Sequence, residues 1–306
     1  MYPIYYGLIY AVSLLPWFVM YGLGDLLYLL AYHVFGYRKK VVLQNLEIAF
    51  PEKSEKERRT IARRFYRNFT DTIVESIKVL SMSEKELDRR FLPKPEMLGL
   101  IKEVERTGKT FQIHAMHNFN WEIVNHGISR ELNLPFLGVY MPLHNRFFER
   151  LFRKIRSRYG TMLVPATEFK ENFERFEKKY TDKPYAIALV ADQSPGNPSM
   201  AWWVNFFSRP TGFVHGPEKA ARDRNLGVIF GNFYKVSRGQ YTFDAILATE
   251  NASSTKEGEL TLAYVRYVEE CIRKRPENYL WSHRRWKHAY KPEYAGRVLE
   301  KLNLVS

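Results

Sequence analysis

Between residues 96 and 274 short apolar runs alternate with helical patterns, and this alternation restricts the chain to a few architectures. The runs expected as strands are 109–115, 135–140, 161–165, 184–191, 227–235 and 241–247. The intervening stretches 96–106, 121–131, 144–158, 167–179, 213–225 and 256–274 carry helical spacing. Alternation at this pitch implies an α/β fold: a mixed, partly parallel sheet flanked by helices. Residues 192–212 are rich in Pro, Ser, Gly and Asn and read as one long loop, the kind of segment that carries function. Upstream, 54–80 reads as a helix. Ser54 and Glu57 form a capping box, and Ile61, Phe65, Phe69, Ile73 and Ile77 draw an apolar stripe at four-residue spacing.

The N-terminus adds a second constraint. Residues 1–24 contain no charged side chain, and only Asp25 interrupts before Arg38-Lys39-Lys40. About 20 apolar residues cross a bilayer core, and no basic leader or small-residue cleavage pattern marks the stretch as a signal peptide. Residues 1–37 are therefore expected to be a membrane anchor, as a spanning helix or a re-entrant or interfacial hairpin, with an ordinary buried helix as the alternative, and 38–306 the functional domain. The basic triplet after the apolar stretch leads us to expect that domain on the cytoplasmic side of the membrane.

A net charge of +14 suits anionic membrane, acidic proteins or nucleic acid equally. The basic residues are spread along the chain and no nucleic-acid-binding signature is present, so no nucleic-acid partner is expected. One cysteine, Cys271, excludes an internal disulfide, and the eight histidines show no metal-ligand spacing, so neither metal nor cofactor is expected.

Chemistry concentrates in the run from His114 to Glu122, at the end of the first expected strand. His117 and Glu122 lie five apart, about 500° of helical rotation, so on one helix they diverge. They meet only if His117 sits in a strand-to-helix turn and Glu122 in the first helical turn. A carboxylate there would orient the imidazole as a general base for a hydroxyl. The alternative is a capping turn with a partly buried histidine. His114, inside the strand, reads as a packed residue. Asn120 is a further candidate for substrate contact. Arg156 and Arg158 end a basic helix and suit a phosphate, or else form a solvated face. Asp192 opens the polar loop after an apolar strand, where functional groups gather in α/β sheets, though a turn-forming aspartate would look the same. His283, Arg284 and Arg285 are placed to clamp an anion, while Trp281 and Trp286 equally suit interfacial or core packing.

His117, Trp121 and Glu122 together resemble the His-x4-Asp/Glu motif of glycerolipid acyltransferases, in the form found in the late lipid A acyltransferases. Asn45-Leu46 with Ala49-Phe50-Pro51 is similar to that family's stretch after its anchor. Tyr140 to Asn145 with Arg156 to Gly160 resembles its acyl-chain and phosphate block, and Asp192-Gln193 its Asp-Gln loop. Residues 276–287, from Pro276 to Lys287, resemble its long C-terminal signature. The likeness covers about residues 35–290. The family commonly has glycine where this chain has Phe119, a change that bears on the shape of the turn.

The resemblance implies an O-acyltransferase with His117 and Glu122 as the catalytic pair, and Asn120, Arg156, Arg158, Asp192, Gln193, Arg284 and Arg285 at the substrate. It implies a lipid hydroxyl as acceptor, on a lipid A precursor, and an acyl thioester of acyl carrier protein or coenzyme A as donor. Amides of the 117–121 turn, or Arg156, would face the oxyanion. The alternatives are an acyltransferase for another membrane lipid (an aminolipid, a lysophospholipid or a phosphatidylinositol mannoside) and a basic membrane-associated binding protein.

Overall fold

The computed structural model describes residues 2–179 and 183–304. Their helices are α1 (Tyr2–Ser13), α2 (Trp17–Tyr28), α3 (Lys39–Ala49), α4 (Glu55–Lys78), α5 (Glu84–Asp88), α6 (Pro95–Arg106), α7 (Trp121–Glu131), α8 (Arg146–Arg156), α9 (Phe169–Lys179), α10 (Gly216–Asp223) and α11 (Glu259–Lys274). Their strands are β1 (Phe111–Ala115), β2 (Phe136–Tyr140), β3 (Met162–Pro165), β4 (Ala186–Val190), β5 (Trp202–Phe206), β6 (Arg209–Phe213), β7 (Gly227–Ser237) and β8 (Gln240–Thr249).

Six strands form one sheet in the order β3-β2-β4-β1-β7-β8, parallel except for the antiparallel β7–β8 hairpin. All six expected strands are in it. Parallel strands covered on both faces are apolar throughout, and β1 is buried along its whole length. One apolar cluster fills each face: Phe65, Phe119, Val228 and Tyr264 belong to the first, Phe111, Ile123, Phe136 and Ile229 to the second. The stretch 192–212 is not one loop. It holds β5 and continues into β6, and the two pair as a separate antiparallel ribbon. Pro and Gly in this stretch masked the apolar Trp202-Trp203-Val204 run.

Ser54 caps α4 as expected: its Oγ accepts from the Glu57 N–H at 3.3 Å, and the Glu57 carboxylate accepts from the Ser54 N–H at 2.8 Å. The apolar stripe does not run the length of the helix. A four-residue step overshoots a helical turn by about 40°, so the stripe winds around the axis. Ile61 and Phe65 are buried, but Ile73 is 40% exposed, and the far half of α4 buries Asp71, Val74, Glu75 and Lys78 instead.

Those buried polar groups explain the N-terminal segment. Pro16 separates α1 from α2, and a π-helical turn, Leu29–Val34, follows α2. Trp17–Val34 is long and apolar enough to cross a bilayer, and is a candidate anchor. Its helix α2 lies along α4, and the N-terminal segment is tied to α4, to the α5 region and to the β7–β8 turn. Lys78 donates to the carbonyls of Ser13 and Leu15 at 2.8 Å each. The Trp17 indole donates to Glu86 and lies under the Arg90 guanidinium. Tyr21 donates to Glu75 at 3.1 Å, and Asp25 pairs with Arg238 at 2.7 Å. The outward face carries exposed Leu8, Leu14, Phe18, Leu26, Leu29 and Phe35.

Candidate active site

β1 ends at Ala115, and the next five residues turn the chain into α7. Side chains on both sides hold the turn. Asn118 Nδ2 donates to Asn232 Oδ1 and to the Phe233 carbonyl, both at 2.8 Å. Asn120 caps α7, its Oδ1 accepting from the Glu122 N–H at 3.0 Å, while its Nδ2 donates to Glu75 at 2.9 Å. The C-terminal segment closes the turn from outside: Leu280 donates to the His117 carbonyl at 3.0 Å, and Phe119 donates to the Asn278 carbonyl at 3.2 Å. The Phe119 ring points away from the turn into the core, 5.6 Å from Phe65 between centroids. The family's glycine position is therefore filled by a packing side chain.

His117 stands at the open C-terminal edge of β1. Its neighbour β4 runs parallel in register, with Ala115 opposite Val190. Asp192, two residues past β4, therefore emerges beside it. His117 Nδ1 lies 2.7 Å from Asp192 Oδ1, and the same oxygen accepts from the His117 backbone N–H at 3.2 Å. Asp192 is fully buried. Burial alone would raise its pKa, but attraction to His117 and the hydrogen bonds from His117 ring and backbone outweigh it, holding the carboxyl below its usual value. An ionised Asp192 makes Nδ1 the protonated ring nitrogen and leaves Nε2 with a lone pair.

Glu122 does not occupy the expected position on His117. Its carboxylate accepts from Arg156 Nε at 3.2 and 3.3 Å, from Arg156 Nη2 at 3.1 Å and from the Trp121 indole at 2.6 Å. With three donors converging on it, the carboxylate is committed to Arg156. The helical twist between the two residues is the cause: Glu122 begins α7 and points toward α8, and His117 still belongs to the turn. Trp121 stands between them, edge-on to the imidazole at 5.8 Å. The amides of His117, Asn118 and Phe119 are also engaged, with Asp192, Met116 and Asn278. Arg156, one-fifth exposed, is linked to the turn through Glu122.

The other expected contacts divide. Asn120 is wholly buried with both ends of its amide used, so it shapes the turn. Arg285 is buried, donates to the Gly212 carbonyl at 2.9 Å and stacks on Phe213, so it braces the β5–β6 ribbon. Arg158 is exposed and donates to the Met82 carbonyl at 2.9 Å. Gln193 is half-buried beside Asp192. Arg284 lines a cleft of about 630 Å³ with Lys40, Arg209 and Lys287. His283, expected with Arg284 and Arg285 in an anion clamp, is placed differently. Its Nε2 accepts from the Ser194 N–H at 3.1 Å, and burial, with Arg285 nearby, pushes its pKa down to about 4. It is a neutral acceptor, not part of an anion clamp. His114 is buried against Gln112, as its place in the strand implied. Among the described residues no three His, Cys, Asp or Glu side chains converge on a metal position.

Glu122→Gln tests the pairing with Arg156. Removing one partner of a largely buried ion pair leaves the guanidinium uncompensated, and the expected loss is about 3 kcal/mol of stability. Chemical denaturation of the variant measures it. An unchanged unfolding free energy would mean that Arg156 does not depend on Glu122.

Residues 2–288 match the model of the bacterial lipid A biosynthesis acyltransferase family. The chain is 26% identical over 286 residues to a lipid A biosynthesis lauroyltransferase of Escherichia coli, covering 92% of this chain and 89% of that protein. It is 20% identical over 283 residues to an E. coli lipid A biosynthesis palmitoleoyltransferase and to a Shigella flexneri lipid A biosynthesis acyltransferase, with 92% and 89% coverage in both cases.

Proposed function

The chain belongs to the bacterial lipid A biosynthesis acyltransferase family, and we propose that it moves a fatty-acyl chain from a thioester to a hydroxyl of a lipid A precursor, with His117 as general base. Membership makes it an O-acyltransferase. The observation that carries the mechanism is the 2.7 Å contact of His117 Nδ1 with buried Asp192 at the C-terminal edge of the sheet. The acceptor hydroxyl gives its proton to Nε2 as its oxygen attacks the thioester carbonyl. The carbonyl oxygen becomes the oxyanion, facing Arg156, which Glu122 holds in place. The C–S bond then breaks, and the imidazolium returns its proton to the departing thiolate. Asp192 stays ionised throughout and stabilises the imidazolium.

Glu122 thus enters the chemistry through Arg156. Asn120 and Arg285 act as supports, and Arg158, Gln193 and Arg284 remain available to the substrates. The donor is acyl carrier protein rather than acyl-CoA. This reading is supported by the net charge of +14 and by the four cations of the Arg284 cleft, which faces them with a single carboxylate, Glu47. The test is purified full-length protein given a lipid A precursor and acyl carrier protein loaded with chains of graded length. A product heavier by one acyl group is expected, and a rate advantage over acyl-CoA that shrinks as salt rises. No product with any chain length sinks the acceptor assignment; equal rates at low salt sink the donor assignment.

Residues 1–37 act as the anchor and 38–306 as the catalytic domain, on the cytoplasmic face of the inner membrane. The anchor lies along the interface. A perpendicular span would carry Asp25, Arg238, Lys78 and Arg90 into hydrocarbon, where each charge costs several kcal/mol. An interfacial helix keeps these ties and still immerses Phe18, Leu26 and Leu29. Membranes carrying the protein should retain it in molar salt, where the Debye length falls to about 3 Å, and release it to detergent. Release by salt alone would assign the attachment to surface charge.

A further inference from the structure

On the far side of the 117–120 turn an open cleft of about 440 Å³ lies between α2, α4, the end of the β7–β8 hairpin and the segment 275–278. None of His117, Asp192, Glu122 and Arg156 lines it. Part of its lining is self-neutralised. Buried Asp71 accepts from Lys235 and Arg238, each at 2.7 Å, and Asp25 takes the other side of Arg238 at 2.7 Å. This ladder makes a braced floor. Three further cations line the cleft: Arg64, Arg67 and Arg275. None of the three has a carboxylate within ion-pairing distance among the described residues, and only Glu277 is left to oppose them. Arg275 is laid over the Tyr234 ring at 3.8 Å and Arg67 over Tyr28 at 5.2 Å, so their guanidinium planes are held before any ligand arrives.

The rim on one side is α2, whose neighbouring Leu26 and Leu29 are each 52% exposed. A polar cleft with surplus guanidinium charge therefore opens beside an apolar helix face. The ligand that fits both has a compact anion joined to hydrocarbon. Phosphate suits arginines better than a carboxylate does, because it offers several oxygens to bidentate forks at once. We propose that this cleft binds the phosphate of a membrane lipid, with Arg64, Arg67 and Arg275 on the phosphate oxygens and the acyl chains against α2. The assignment of the hydrocarbon side rests on the interfacial reading of the anchor. Asn278 lines the cleft and its carbonyl accepts from Phe119, so the bound headgroup is one residue away from the catalytic turn.

The test is titration of the full-length protein in neutral detergent with a short-chain phosphatidic acid, the matching diacylglycerol and inorganic phosphate. Phosphatidic acid should bind at least tenfold more tightly than inorganic phosphate, and the diacylglycerol should not compete with it. The Arg64→Gln/Arg67→Gln/Arg275→Gln variant should lose at least tenfold in phosphatidic acid affinity with little change in melting temperature, since the three side chains are exposed and make no ion pair among the described residues. Equal binding by the variant, or competition by the diacylglycerol, overturns the site; inorganic phosphate binding as tightly as the lipid overturns the lipid assignment. Kinetics then identify the source. A KM raised only for a phosphorylated acceptor, and not for its dephosphorylated form, assigns the phosphate to the acceptor. A KM unchanged for both assigns it to the surrounding phospholipid. Protein that transfers no acyl group to either acceptor would refute the acyl-transfer reading, while the titration would still decide the cleft.

Discussion

His117→Ala should lower turnover by about 10²–10⁴-fold, the range for loss of a positioned general base. The side chain is near the surface of the turn and makes its one strong contact with Asp192, so the variant should still fold. The turn keeps its shape without the imidazole, because Asn118, Asn120, Leu280 and Asn278 hold its backbone. His114→Ala is the matched control. It removes a buried ring packed against Phe230 and Tyr264, so it should melt earlier yet transfer acyl groups normally per folded molecule. Acyl transfer and thermal melts on the same preparations separate the two behaviours. A folded His117→Ala protein with near-normal turnover would remove the proposed chemistry.

Asp192→Asn should cost about 10⁴-fold, as the equivalent change does in a serine-protease triad, with little change in fold. The amide has the shape of the carboxylate but can present N–H to Nδ1. The imidazole then carries its proton on Nε2 and has no lone pair for the acceptor hydroxyl. This variant separates two assignments of the orienting carboxylate. If Glu122 oriented His117, Asp192→Asn would be mild and Glu122→Gln would abolish turnover without loss of stability. The expected pattern is the reverse: Asp192→Asn inactive and stable, Glu122→Gln unstable and impaired through a displaced Arg156.

The sheet was legible because each of its strands is a short apolar run bounded by polar turns, and six such runs became six strands. The β5–β6 ribbon was not, since two glycine- and proline-bearing segments look like a loop until they pair. Along α4 the four-residue repeat of Ile61, Phe65, Phe69, Ile73 and Ile77 was read as one face, and the helical pitch carried Ile73 out to the surface. His117 was legible from its place after a strand. Its partner was not. Asp192 lies 75 positions away, and only the strand order β4-β1, which no local pattern encodes, brings it alongside. Glu122 was the nearest carboxylate in sequence, and proximity along the chain proved a poor guide to which oxygen meets the ring. The Asp25–Arg238–Asp71 ladder was equally hidden, as its members come from α2, α4 and the β7–β8 turn.

The register of β1 against β4 has a consequence for how such a chain can change length. The spacing between His117 and Asp192 is set by two hydrogen-bonded neighbours in a sheet, not by the 75 positions that separate them in sequence. Insertions or deletions in the connections after β2 and β3 leave that spacing untouched as long as the strands stay paired. A single residue gained or lost inside β1 or β4 does the opposite. It inverts the facing of every side chain beyond it and turns either His117 or Asp192 away from the other. Relatives are therefore free to differ widely in the total distance between these two positions, while strand lengths up to each of them stay constant.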